Sequence, residues 1–120
     1  NLPNFQQRNL SKLEESETPA NTVINTEAVS IDFGNGRKLN GEVATQSAYQ
    51  ALVKLAKDNN LSVGVKQYKY GVMVEQIGDV VGNQNYAWMY SVNGKPGQIA
   101  ADRYVLHPGD KVEWVYKKIN

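Results

Sequence analysis

Cysteine is absent from all 120 residues. That removes disulfide scaffolds, thiolate metal sites and cysteine nucleophiles at once, and it suits an exported bacterial protein that does not use disulfides. Histidine occurs once, at His107. Charge of one sign is also lacking: 13 basic and 12 acidic residues leave a net charge of +1. A nucleic-acid binder should carry a basic surplus on one face. The only basic cluster, Lys117-Lys118, reads as a solvated strand end. No apolar run reaches the roughly eighteen residues that a membrane-spanning helix needs. Asp32, Glu75 and Asp79 show no calcium-loop spacing. Ser47 and Ser91 lack the context of a nucleophile elbow. Gly34-Asn35-Gly36 is too short to cradle a phosphate and leads into a strand rather than a helix. Together these absences argue against an enzyme.

The length fits one domain. Hydrophobic residues make up 41%, and the shortfall against an ordinary globular share lies in residues 1–27. There Asn, Gln, Ser, Thr, Glu and Pro dominate, so the segment buries too little apolar surface to offset its ordering entropy. It reads as a polar linker or stalk, with a folded domain over 28–120. The chain opens on Asn1 rather than methionine, which reads as a processed or truncated chain from which any signal peptide would already be gone.

Within 28–120 the apolar pattern has period two almost throughout. Val29, Ile31 and Phe33 alternate with Ser30 and Asp32, then Gly34-Asn35-Gly36 supplies a turn, and Leu39 and Val43 continue on a return strand. This predicts a hairpin over 28–43. One helix follows, with Thr45 as its expected N-cap. Ala48, Leu52 and Leu55 form its apolar stripe, Lys54 and Lys57 lie near its C-terminus, and Asn59-Asn60 stop it. Val63, Val65, Tyr68 and Tyr70 lead to Gly71, which breaks the run before Val72, Val74 and Ile77. Gly78 to Asn85 reads as a polar loop. Tyr86, Trp88, Tyr90 and Val92 alternate up to Asn93-Gly94. Residues 100–103 read as one helical turn, and Pro108-Gly109-Asp110 as a turn in which Asp110 accepts backbone N–H groups. Val112, Trp114 and Tyr116 mark the last strand, 111–118. The fold class is α+β and β-grasp-like: one amphipathic helix on a mixed sheet of four or five strands. A last strand placed beside the first would pair with it in parallel.

The run Trp88-Met89-Tyr90, then Val92-Asn93-Gly94, resembles a bacterial domain-of-unknown-function family related to the carboxy-terminal β-domain of transcobalamin and intrinsic factor. Ala101, Asp102, Tyr104, Leu106, Gly109, Asp110, Val112, Trp114 and Tyr116 continue the likeness. Gly71, Val74, Ile77 and Gly78 resemble the family's middle strand. The likeness covers roughly residues 28–120. It implies a β-grasp-like domain in secreted or envelope-attached proteins, often with a signal peptide or lipid anchor upstream. It also implies a cobalamin-like ligand, the only cofactor that any feature of the chain brings forward. In the transcobalamin relatives a separate helical domain supplies much of the pocket, and this chain has none.

Two functions follow. The first is a non-enzymatic extracellular or envelope-associated binding module for a small, cobalamin-like molecule. Its candidate ligand-binding residues are Tyr68, Tyr70 and Tyr86, which border glycine-bearing loops, with Lys95 and Gln98 as polar contacts. The second is a structural or adhesive surface module contacting proteins or wall polymers, which a polar stalk would project outward. Trp88, Tyr90, Trp114 and Tyr116 could stack on a flat ligand, but their strict alternation favours the core. His107 reads as a solvated turn residue before Pro108-Gly109. No metal site is expected.

Overall fold

The computed structural model describes residues 26–119. The polar segment expected over 1–27 therefore lies outside the described residues, apart from Thr26 and Glu27. The elements are β1 (Glu27–Asp32), β2 (Lys38–Val43), α1 (Ala48–Asp58), β3 (Val63–Tyr68), β4 (Gly71–Ile77), β5 (Val80–Val81), β6 (Tyr86–Val92), β7 (Lys95–Pro96) and β8 (Lys111–Lys118).

One helix on mixed sheets makes this an α+β domain. The strands divide between two sheets rather than one: five in the order β2-β1-β8-β6-β7, and three in the order β3-β4-β5. β1 and β2 pair antiparallel as the alternation predicts, with Ile31 opposite Leu39. β8 lies beside β1 in parallel, with Val29 opposite Val112 and Ile31 opposite Trp114. β6 pairs antiparallel with β8, setting Trp88 opposite Tyr116 and Tyr90 opposite Trp114. Because side chains alternate faces, these registers gather Val29, Ile31, Val112, Trp114, Trp88 and Val92 on one surface. All six are buried. Against them α1 lays Ala48, Ala51, Leu52 and Leu55.

The helix begins two residues later than Thr45 implies. Ser47 is the N-cap, and its Oγ accepts from the Gln50 backbone N–H at 3.1 Å. Both residues carry a capping hydroxyl, but Ser47 bridges to Val105 and the Leu106 N–H donates to the Gln46 carbonyl at 2.9 Å, which holds residues 46 and 47 outside the helix. The Thr45 N–H instead donates to the Glu27 carboxylate at 3.1 Å. At the other end Asn60 takes a left-handed φ of 58°, as expected of asparagine.

Two further differences concern short elements. Gly71 opens β4 instead of breaking a run, and β3 and β4 form a hairpin in which Tyr68 faces Gly71. The polar stretch 78–85 contains the two-residue strand β5, paired to β4. Two residues are too few to show a period. β5 nevertheless joins the sheets: the Trp88 indole N–H donates to the Val80 carbonyl at 3.0 Å, and the Tyr116 hydroxyl to the Val81 carbonyl at 2.8 Å. Asn93 and Gly94 both have positive φ, 54° and 83°. That is the type I′ geometry in which a two-residue turn matches strand twist, and it returns the chain as β7.

Candidate functional site

The chain around the β6–β7 turn and the segment after it build a groove of about 700 Å³, within the usual range for small-molecule sites. Three pieces converge. Tyr70, Val72, Met73 and Val74 come from the β3–β4 turn and β4. Trp88, Met89 and Tyr90 come from β6. Residues 96–101 and Arg103 close the third side, and Trp114 contributes from β8.

Each piece is fixed by a specific contact. The Gly97 N–H donates to the Tyr90 carbonyl at 2.9 Å, and the Tyr90 hydroxyl returns a bond to the Ile99 carbonyl. The loop can approach this closely because Gly97 has no Cβ; one there would overlap the Tyr90 ring. The Asp102 carboxylate accepts the Val72 N–H at 3.0 Å, joining the loop to the start of β4. Gly71 is needed beneath it: its φ is 129°, and a Cβ would collide with the Asp102 carboxylate and Ala100. The Arg103 N–H then donates to the Ala100 carbonyl at 2.9 Å, giving the turn expected over 100–103.

The floor is dry. Trp114 is 2% exposed, and its indole donates to the Ala48 carbonyl at 3.2 Å. Trp88 is also buried. The rim is exposed and apolar: Tyr70 at 59%, with Met73, Met89 and Ile99 about half exposed. Partial burial, with the neighbouring Tyr104 and Asp102 oxygens adding to it, pushes the Tyr90 phenol above its ordinary value. The Tyr90 hydroxyl is therefore neutral at physiological pH.

Of the five sequence candidates, the structure brings Tyr70 and Gln98 into the groove lining. Tyr68 stands behind Tyr70, the rings parallel to within 4° at 5.1 Å. Tyr86 sits at the far end of β6 and stacks on Tyr116 at 5.2 Å. Lys95 lies exposed on β7, outside the lining. Sequence reasoning missed Met73, Met89, Ile99 and Arg103. Met89 sits inside the recognised Trp-Met-Tyr run, and its place on the strand face opposite Trp88 was the available signal. His107 is exposed, and its backbone N–H donates to the Asp110 carboxylate at 2.9 Å. Among the described residues no group of three or more His, Asp or Glu side chains is arranged to hold a metal.

The family model described as Domain of unknown function (DUF4430) matches residues 45–118. Comparison with curated proteins gives no match. Solved structures that share the fold include these two. A protein from Ruminococcus gnavus ATCC 29149, to which metal binding is ascribed, is 18% identical, with a TM-score of 0.66 over 81% of this chain and 100% of its own. Haptocorrin, solved in complex with Cbi, is 18% identical, with a TM-score of 0.68 over 79% of this chain. This chain spans 25% of haptocorrin's length. The resemblance to the transcobalamin family read from Trp88 to Tyr116 is thus borne out at the level of fold.

Proposed function

The chain belongs to the DUF4430 family, and on that premise we propose that it is a non-enzymatic binding module for a flat, largely apolar small molecule. The observation that carries this reading is the groove: a buried indole floor, an exposed apolar rim and few polar groups. Contiguous exposed apolar surface on a small domain commonly marks an interaction site. We read the arrangement of one helix on a mixed sheet as β-grasp-like, and the setting as extracellular or envelope-attached. A corrinoid is the first ligand to try, because haptocorrin was solved with Cbi. Tyr70 supplies the stacking face, with Tyr68 buttressing it, and Gln98 supplies a hydrogen-bonding amide.

The test is a titration of the protein with cobalamin and with cobinamide, followed by tryptophan fluorescence. Trp88 and Trp114 both line the groove, so a ligand there should quench them. Saturable quenching that weakens in Tyr70→Ala supports the reading. Absence of quenching by either corrinoid rejects that ligand, and unchanged affinity in Tyr70→Ala rejects the site.

One observation favours an adhesive module as the second reading. Among the described residues β3 pairs only with β4, leaving one edge of a short sheet unpaired, and residues 65–68 are exposed. An extended partner strand could add there. Proline at Val65 or Gln67 would block such pairing and leave groove binding intact.

A further inference from the structure

Among the described residues Arg103 is the only charged one in the groove lining; Gln98 is the only amide, and the rest are apolar or aromatic residues, glycine and proline. The guanidinium is not locked into a tight ion pair. Its Nε lies 3.8 Å from the Asp102 carboxylate, and Nη2 donates to the Lys69 carbonyl at the long distance of 3.4 Å. Nη1 is engaged in neither contact. Asp102 is otherwise committed to the Val72 N–H, and its side chain is 26% exposed against 56% for Arg103. Arg103 lines the groove, whereas Asp102 does not. Exposed Lys69, on the same turn as Tyr70, adds positive charge on that side.

We propose that the groove selects amphiphilic monoanions: ligands with a flat apolar body for Tyr70, Met73 and Tyr90, and one carboxylate, sulfonate or phosphoester group for the Arg103 guanidinium. The inference rests on the reading of the groove as a binding site and adds the ligand's charge to it. The chemistry is that of a planar fork of donors meeting an oxyanion. The Arg103 side chain is 56% exposed, so the contact weakens as salt is added.

Two fluorescent probes separate the two ideas. Anilinonaphthalene sulfonate and phenylnaphthylamine share one aromatic body, and only the first carries an anionic group. The whole chain is titrated with each, for wild type, Arg103→Gln, Arg103→Lys and Lys38→Gln. Lys38 lies on β2, at the opposite edge of the five-stranded sheet.

The sulfonate should bind wild type about tenfold or more tighter than the neutral probe, the scale of one charge-assisted hydrogen bond. Arg103→Gln should erase that margin while leaving the neutral probe unchanged, which shows that the groove still forms. Arg103→Lys should keep part of it, and Lys38→Gln all of it. Equal binding of both probes, or an unaltered margin in Arg103→Gln, overturns the charge assignment and leaves the groove reading standing. A margin lost equally in Lys38→Gln traces to overall charge and also overturns it. Failure of both probes to bind overturns the groove reading and this inference with it.

Discussion

Replacing Trp114 by alanine tests the central claim of the fold, that the aromatic alternation builds core rather than display surface. The ring is 2% exposed, lies 5.2 Å from the Tyr90 ring and donates to the Ala48 carbonyl. A buried tryptophan removes about 150–250 Å² from water. At roughly 25 cal/mol/Å² that is about 4–6 kcal/mol. Compactness of the unfolded chain lowers it by roughly 10–40%, and the alanine leaves a cavity that relaxes only in part. The expected loss is about 3–5 kcal/mol, a large share of the total for a domain of this size. Equilibrium urea unfolding of wild type and Trp114→Ala measures it directly, with circular dichroism as the probe since one fluorophore is removed. Trp114→Phe keeps most of the ring and loses the indole N–H, so it should cost only about 1–2 kcal/mol. A loss below about 1 kcal/mol in Trp114→Ala refutes the reasoning, because it means the ring is not held in the core.

Other perturbations follow from named contacts. Gly97→Ala should push the 96–100 loop off the Tyr90 ring, lowering stability by about 1–3 kcal/mol and weakening any groove ligand; unfolding and probe titration on one sample read both. Ser47→Ala should cost about 1 kcal/mol through loss of the helix cap, whereas Thr45→Ala should leave the cap intact, and thermal melts separate the two. The Asp110 carboxyl is held below its ordinary value, first by the His107 backbone N–H and next by the Asn93 amide. Its contribution is therefore complete above the unfolded carboxylate value and fades as pH falls through the lower folded one. Asp110→Asn should flatten that part of the acid stability profile. Tyr90 is shifted the other way, so its contribution is complete below the unfolded phenol value and is lost as pH rises through the raised folded one. Spectrophotometric titration should show one late tyrosine that reverts to the ordinary range in a denatured sample or in Tyr90→Phe is missing.

The legible parts of this chain were those where a single segment carries its own evidence. The hairpin from Val29 to Val43 announces itself by period two and a glycine turn, and the strands at 86–92 and 111–118 do so by alternating aromatics. Thr45 and Ser47 offer the same capping chemistry two residues apart, and the long-range bridge between Ser47 and Val105 decides between them. Strand β5 is invisible in sequence because two valines in a polar stretch have no period. The groove was legible only at Tyr70 and Gln98, where an aromatic or amide neighbours glycine or proline in a loop. Met73, Met89 and Arg103 come from three separate segments. Their meeting is a product of the Asp102–Val72 and Gly97–Tyr90 bonds, and no local pattern records such long-range pairing.

The parallel pairing of β1 with β8 has a consequence for synthesis. β8 sits in the middle of the five-stranded sheet, between β1 and β6, yet it is the last strand made. Until it leaves the ribosome, the β1–β2 hairpin and β6 have no common neighbour, and Ile31 and Trp88 lack the strand that joins them. Pairing across such a sequence separation is slow, since loop closure precedes any reward. The nascent domain thus carries the open β1 edge through most of its translation, and the β6 edge as well once Val92 has been added. Those edges are the template on which chains associate wrongly. A polypeptide stopped just before Lys111 should bind a holdase chaperone, and one extended past Lys118 and clear of the exit tunnel should release it.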